Sequence, residues 1–251
     1  MPTQAEALGT VLRTSKAVLF DFDGPICDVF RGLPAPSVAD ELADLLAALA
    51  PALAGPARAT SDPMEVHSLA QEGGSTVLAA VEAALTAAEI RAVKVAGAPT
   101  DGSVQALHAA REAGRHVAIV SNNSTECVWE YLTQHGIVGL VDKIIGRPVL
   151  RPDLMKPSPH PLLAAASAFG VASKLTVLIG DSLTDIEAAH AAEARSIGYA
   201  NKLHKEASLT AAGADAVVLD MRQIADSLSL LDGIGYSVGG GGAENDRDSE
   251  V

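Results

Sequence analysis

The sequence predicts an α/β protein: a Rossmann-like, doubly wound parallel sheet that carries a small helical insertion. Three observations lead there. Short apolar runs alternate with longer helical segments along most of the chain, the pattern of parallel strands joined by crossover helices that cover both faces of a sheet. Gly114, Gly136, Gly170 and Gly213 each follow a helical run, where a C-terminal stop belongs. Between residues 30 and 96 the alternation breaks, and Ala- and Leu-rich helical segments replace it.

Taken in order, a first helix is expected over 4–13, and the apolar run from Ala17 to Phe20 opens a buried strand over 17–22. The insertion, 30–96, holds helical segments near 38–49, 64–71 and 75–94. Pro34, Pro36, Pro51, Pro56 and Pro63 punctuate its first half, because proline starts helices and interrupts them. Alternation resumes with a helix at 102–113, a strand at 116–121, a helix at 126–135 and a strand at 143–147. Pro157 and Pro159 shape the start of a helix over 159–169. A strand at 175–180, helix 183–192, strand 195–199, helix 204–212, strand 216–220 and helix 222–231 complete the pattern. Residues 1–29 and 97–235 therefore form the α/β core, in which Trp129, the only tryptophan, is expected to pack. Residues 236–251 combine a run of glycines with an acidic polar stretch, have almost nothing apolar to bury, and are expected to be disordered.

Composition excludes several functional classes. The 251 residues, 48% of them hydrophobic, suffice for a substantial core, but with 3% aromatics that core must be filled by Ala, Val, Leu and Ile. A net charge of −13 opposes binding to nucleic acid phosphates or anionic membrane surfaces, so neither partner is expected. Cys27 and Cys127 are too few for a disulfide framework or a structural zinc site. The N-terminus lacks a basic stretch followed by an apolar segment, and no apolar run is long enough to span a bilayer, so a soluble cytoplasmic protein is expected. Oligomeric state is left open.

Four short stretches then stand out, each where a predicted strand runs out: Asp21-Phe22-Asp23-Gly24, Ser121-Asn122-Asn123, Lys156-Pro157, and Gly180-Asp181-Ser182 followed by Asp185. Side chains alternate along a strand, so Asp21 and Asp23 point the same way and Phe22 the other. Two carboxylates on one edge repel unless a cation lies between them, and magnesium, a hard ion that takes oxygen ligands, suits them. Each stretch alone also fits an ordinary role: turn acids, a helix N-cap at Ser121, a solvated Lys156, first-turn acids at Asp181 and Asp185. Their joint occurrence at strand carboxyl ends, where open α/β sheets bind ligands, is what those roles leave unexplained.

In this order the four stretches resemble the motifs of the haloacid dehalogenase-like hydrolase superfamily, over roughly residues 15–220. One departure is Pro25, where the family usually has Thr or Val; its fixed φ is expected to stiffen the turn. The resemblance implies a magnesium-dependent phosphomonoester hydrolase acting on a small phosphorylated metabolite through an aspartyl-phosphate. Asp21 would be the nucleophile and Asp23 the general acid and base. Ser121, Asn122 and Lys156 would hold phosphoryl oxygens, with Lys156 also offsetting charge on the nucleophile. Asp21, the Asp23 backbone carbonyl and Asp181 would hold the metal, and Asp185 would orient the site.

In that family an insertion after the first motif is a mobile cap that selects substrate, the alternative being a helical layer docked permanently on the sheet. Within it Arg31, Arg58, His67 and Lys94 are the candidates for recognising an anionic or hydroxylated substrate. A dehalogenase would generally lack the acid at Asp23, a non-catalytic binding protein would have lost an acid or the lysine, and a phosphomutase would keep all four motifs. Phosphoglycolate, sugar phosphates, nucleoside monophosphates and phosphorylated intermediates of a biosynthetic pathway all remain open as substrates.

Overall fold

The computed structural model of the chain describes residues 3–202 and 204–235. Six strands, β1 (Ala17–Phe20), β2 (His116–Val120), β3 (Lys143–Ile145), β4 (Thr176–Gly180), β5 (Arg195–Tyr199) and β6 (Ala216–Val218), form one sheet in the order β3-β2-β1-β4-β5-β6. Every neighbouring pair is parallel. The chain winds outward from β1 through β2 to β3, then returns beside β1 and winds the other way. The carboxyl end of β1, with Phe20 level with Ile119 of β2 and Ile179 of β4, is therefore the point where the order reverses and a crevice opens.

Both faces of the sheet are covered, which is why the strands read as continuous apolar runs. Val18 and Phe20 face a cluster built with α1 (Gln4–Thr14), α6 (Ser103–Glu112), α7 (Thr125–Gln134) and α11 (Arg222–Gly235). Ala17 and Leu19 face the opposite cluster, where α8 (His160–Phe169) and α9 (Leu183–Ala191) approach closely over Ala118, Ala165, Ala188 and Ala189. Helix α10 (Lys205–Ala211) packs Leu209 beside Ile186 and Val217 at the β6 edge. Phe20, Phe22, Tyr131 and Tyr199 sit on the first face, with Phe22 edge-on to Tyr131 at 5.5 Å, while Phe169 packs against the opposite one. Burying each such Leu or Phe stabilises by roughly 1.5–3 kcal/mol.

Between β1 and α6 the chain is helical: α2 (Ala35–Leu49), α3 (Ala54–Arg58), α4 (Pro63–Leu69) and the long α5 (Ser75–Val93), with single 3-10 turns at Pro51–Leu53 and Ala70–Gly73. Val38, Leu42, Leu46, Val66, Leu78, Val81 and Leu85 close an apolar cluster of their own. Helix α5 spans both clusters, since Ala92 and Val93 at its end belong to the sheet's core. The prolines act as starts rather than breaks: Pro36 lies in the first turn of α2, and Pro63 opens α4 behind an Asp62 side chain that accepts from Met64 N–H at 2.8 Å.

The structure corrects three expectations of detail. Helix α3 and its preceding turn were not anticipated, because five residues with three small ones and a proline carry no readable periodicity. Strands β1 and β3 each stop two residues short of the expected 17–22 and 143–147, since the chain turns into loops at Asp21 and Gly146. Trp129 is 57% exposed rather than packed, because α7 buries Cys127, Val128, Tyr131 and Leu132 and turns residue 129 outward. Residues 236–251 lie outside the described residues. Among those described, no helix is long and apolar enough to cross a membrane.

Candidate active site

The first motif leaves β1 without leaving the sheet. Asp21 N–H still donates to the Ile179 carbonyl at 2.8 Å, and the Asp21 Oδ1 accepts from Phe22 N–H at 2.7 Å, so the carboxylate is aimed before any ligand arrives. Phe22 goes into the core, as alternation requires. The chain then folds into a tight loop in which Gly24 donates to Cys27 and both Ile26 and Cys27 donate to the Phe22 carbonyl. Pro25 occupies the one position among residues 24–27 that gives no hydrogen bond, so the departure from the family pattern costs the loop nothing. Gly24 is required twice over: its φ is +96°, and a Cβ there would lie 2.6 Å from Cγ of Asp181.

Asp23 hangs over this loop with its Oδ1 accepting from Val29 N–H at 3.0 Å. Burial pushes its carboxyl up to about 6, against the pull of that amide and with help from the nearby Asp181 charge. Asp21 is also held well above the usual carboxylate range, first by burial and then by Asp185, with Lys156 opposing. A protonated form near neutrality suits a group that must give and take a proton; the charge around Asp21 instead calls for cations.

Lys156 is one of them. Its Nζ lies 2.6 Å from Asp185 Oδ1, 2.8 Å from Asp21 Oδ1 and 3.2 Å from the Val120 carbonyl, in a site where the residue is 5% exposed. Burial works against its charge, but Asp185 and Asp21 outweigh burial, and the ammonium is held above its ordinary pKa. Asn122 clamps the lysine's backbone from the end of β2, its amide donating to the Lys156 carbonyl at 3.1 Å and accepting from Lys156 N–H at 2.9 Å. The Asn122 side chain thereby holds the lysine loop. Ser121, buried beside it, donates to Asn123 Oδ1 at 3.1 Å and accepts from Asn123 N–H at 3.0 Å.

The last motif meets the first across the reversal point. Ser182 and Asp185 cap α9 reciprocally, with Ser182 Oγ donating to Asp185 Oδ2 at 2.6 Å. Gly180 lets them close, since a Cβ there would come within 2.4 Å of Asp185 Cγ. Asp181 accepts from Asn201 at 2.8 Å and pairs with Lys205 at 2.5 Å. Carboxylate oxygens of Asp21, Asp181 and Asp185 all lie within 4.8 Å of one another. This donor set is oxygen only, and its three acids outnumber Lys156 and Lys205, so the residues fit a hard divalent cation. Asp185 stands closer to that cluster than its expected outer role, while its oxygens are engaged by Lys156 and Ser182.

A cavity of about 350 Å3 opens above Asp21, Asp23, Ser121, Lys156 and Asp181, and the helical segment covers it with Phe30, Ala35 and the loop Ser61–Met64. Of the four cations expected to read substrate there, none lines it. Arg31 is exposed, Arg58 pairs with Asp44 at 3.0 Å on the surface, and Lys94 reaches across to Glu130 at 3.5 Å. His67 is buried inside the helical segment against Glu82, 3.4 Å away. Arg31 lies in the loop before α2, Lys94 follows the last turn of α5, and Arg58 and His67 belong to α3 and α4, and the side chains of the last three are engaged away from the cavity.

Two groups escaped the sequence reading. Glu89 and Arg147 form a fully buried pair at 2.7 Å, and Glu89 also accepts from Asn123 Nδ2 at 3.1 Å and Ser124 N–H at 3.0 Å. Arg147 donates to the Asn122 carbonyl at 3.1 Å and to Thr86 at 3.0 Å. The pair thereby fixes the loop that carries Ser121 and Asn122 against α5. A charged residue on the buried stripe of α5, between Leu85 and Ala92, was the available signal for Glu89. Lys205 and Asn201 left no local signal at all.

Over 116 residues the chain is 32% identical to a phosphoglycolate phosphatase of Nitrosococcus oceani, an alignment covering 46% of this chain and 51% of that one. A phosphoglycolate phosphatase of Xylella fastidiosa is 31% identical over 189 residues, 70% of this chain and 76% of its own. The chain thus spans about half the length of several curated relatives it matches and more of others. The crystal structure of a predicted phosphoglycolate phosphatase from Haemophilus somnus shares the fold at a TM-score of 0.60 and 21% identity, covering 87% of this chain and 98% of that one. A family model described as haloacid dehalogenase-like hydrolase matches residues 15–193, most of the chain and all four motifs, and the protein belongs to that family.

Proposed function

We propose that the protein hydrolyses a small phosphomonoester, with Asp21 as nucleophile, Asp23 as general acid and base, and magnesium as the metal. The observation that carries this reading is the junction of Asp21 with Lys156 at 2.8 Å beneath a cavity that also meets Asp23, Ser121 and Asp181. Asp21 would form a bond from a carboxylate oxygen to phosphorus as the bond to the leaving oxygen breaks. Asp23, whose pKa of about 6 keeps both forms accessible, would protonate that oxygen and later take a proton from the water that cleaves the aspartyl-phosphate. Lys156 would offset charge gathering on Asp21 and the phosphoryl oxygens, Asn122 would hold the lysine loop, and Ser121 would offer its hydroxyl.

Asp21, Asp181 and the Asp23 backbone carbonyl would hold the magnesium, which when bound would neutralise phosphoryl oxygens and the crowded acids. We assign residues 30–96 to a cap over the site, on the grounds of their separate apolar cluster and the Ser61–Met64 loop above Asp21. The acid at Asp23 favours phosphoryl transfer to water over carbon–halogen cleavage.

The test is phosphate release from p-nitrophenyl phosphate with magnesium and with excess chelator. Release is expected only with the metal, and Asp21→Asn should abolish it together with the acid-trapped phosphoenzyme. Equal turnover without divalent metal, or by Asp21→Asn, would overturn the reading.

A further inference from the structure

The cavity over Asp21 continues into a larger one of about 860 Å3, and the two share Asp62, Met64, Asn122, Lys156 and Thr184. A phosphoryl group seated at Asp21 would leave its alcohol portion facing this second chamber. The chamber's charges are of one sign. Asp62, Glu65 and Glu72 line it from the helical segment, while the only cation lining either cavity among the described residues is Lys156, already held between Asp21 and Asp185. Cations flanking the region have partners of their own: Arg147 with Glu89, Arg58 with Asp44, Arg151 with Asp153.

An anionic group on the alcohol would therefore meet the exposed carboxylates of Asp62, Glu65 and Glu72 with no countercharge beside them, a like-charge repulsion that weakens as salt is raised. Hydroxyls and methylenes, by contrast, have complements in Thr60, Ser68, Met64 and Leu69. We infer, on the footing of the phosphatase reading above, that the substrate is a phosphomonoester whose leaving alcohol carries no negative charge, being neutral and hydroxylated or bearing an ammonium. Phosphoglycolate, named for the relatives of Nitrosococcus oceani and Xylella fastidiosa, bears a carboxylate on its leaving group and is disfavoured. Discrimination here is built from repulsion as much as attraction.

Three esters of nearly equal size isolate the charge: 2-phosphoglycolate, 2-hydroxyethyl phosphate and phosphoethanolamine, with leaving groups of charge −1, 0 and +1. Wild-type kcat/KM should be at least tenfold lower for 2-phosphoglycolate than for 2-hydroxyethyl phosphate, and the phosphoethanolamine arm decides between a neutral and a cationic alcohol. Asp62→Asn combined with Glu72→Gln should narrow the gap severalfold, by raising the rate on 2-phosphoglycolate relative to 2-hydroxyethyl phosphate. Asparagine still caps α4, so the variant retains its helix start. Preference for 2-phosphoglycolate, or a gap unmoved by the double variant, overturns the inference while metal-dependent release from p-nitrophenyl phosphate leaves the phosphatase reading standing. Failure to hydrolyse any of the four esters overturns both.

Discussion

Asp23 carries a stability cost in the folded protein that its proposed role as acid and base would put to use. Its carboxyl is raised from 3.8 to about 6 in the folded protein, so the folded state binds its proton more tightly than the unfolded chain does. Stability contributed by the protonated acid is present below about pH 4 and lost as pH rises through 6. At pH 7.5 the ionised, desolvated Asp23 costs on the order of 2–3 kcal/mol in the metal-free protein. Asp23→Asn removes that cost while keeping an acceptor for Val29 N–H. Thermal melts in chelator should place the variant above wild type at pH 7.5 and level with it near pH 4. A constant difference across pH would mean that ionisation of Asp23 is not the cause. The acid itself was legible from its alternation with Asp21; its raised pKa was not, because the burial that raises it is set by how the loop closes.

Helix α5 carries the link between the helical segment and the phosphate-side loop. Glu89→Ala would leave Arg147 buried without its countercharge and orphan the Asn123 amide and Ser124 N–H, at a cost of about 3–5 kcal/mol. Replacing the pair by Leu at 89 and Met at 147 should recover most of that stability, because an apolar pair carries no desolvation penalty. It should not recover phosphate release, since Asn123 and Ser124 still lack their acceptor and the Ser121 loop loses its register. Urea melts and phosphate release on the same preparations check the split; recovery of both together would reduce the pair to a packing element. The helices were readable from apolar spacing and proline starts, whereas the Glu89–Arg147 contact joins positions far apart in the chain and has no local pattern.

Among the described residues, the two apolar clusters are distinct and are joined at the end of α5 and at Phe30 and Leu33, which pack against both, so the sheet and the helical segment should open separately. Leu46→Ala, within the helical cluster, is expected to cost about 2–5 kcal/mol there. Hydrogen exchange should quicken in α2, α4 and the first turns of α5 while β1, β2 and β4 keep their protection. Equal acceleration in the sheet would show one cooperative unit and favour a docked layer over a cap. The low aromatic content is met as expected, with alanines letting α8 and α9 lie close against the sheet.

Periodicity, turn residues and motif order determined the parallel α/β sheet, its six strands, the four motifs and the family, because those signals are written within a few residues of one another. Long-range placement decided the rest. The strand order put Asp21, Ser121, Lys156 and Asp181 around one crevice. The packing of α3 and α4 turned Arg58 and His67 away from that crevice and set the Ser61–Met64 loop over it, leaving acids where cations had been expected. Helix spacing says which face of a segment is apolar, but which loop reaches a distant site depends on how separate segments dock, and that is settled only when the chain has folded.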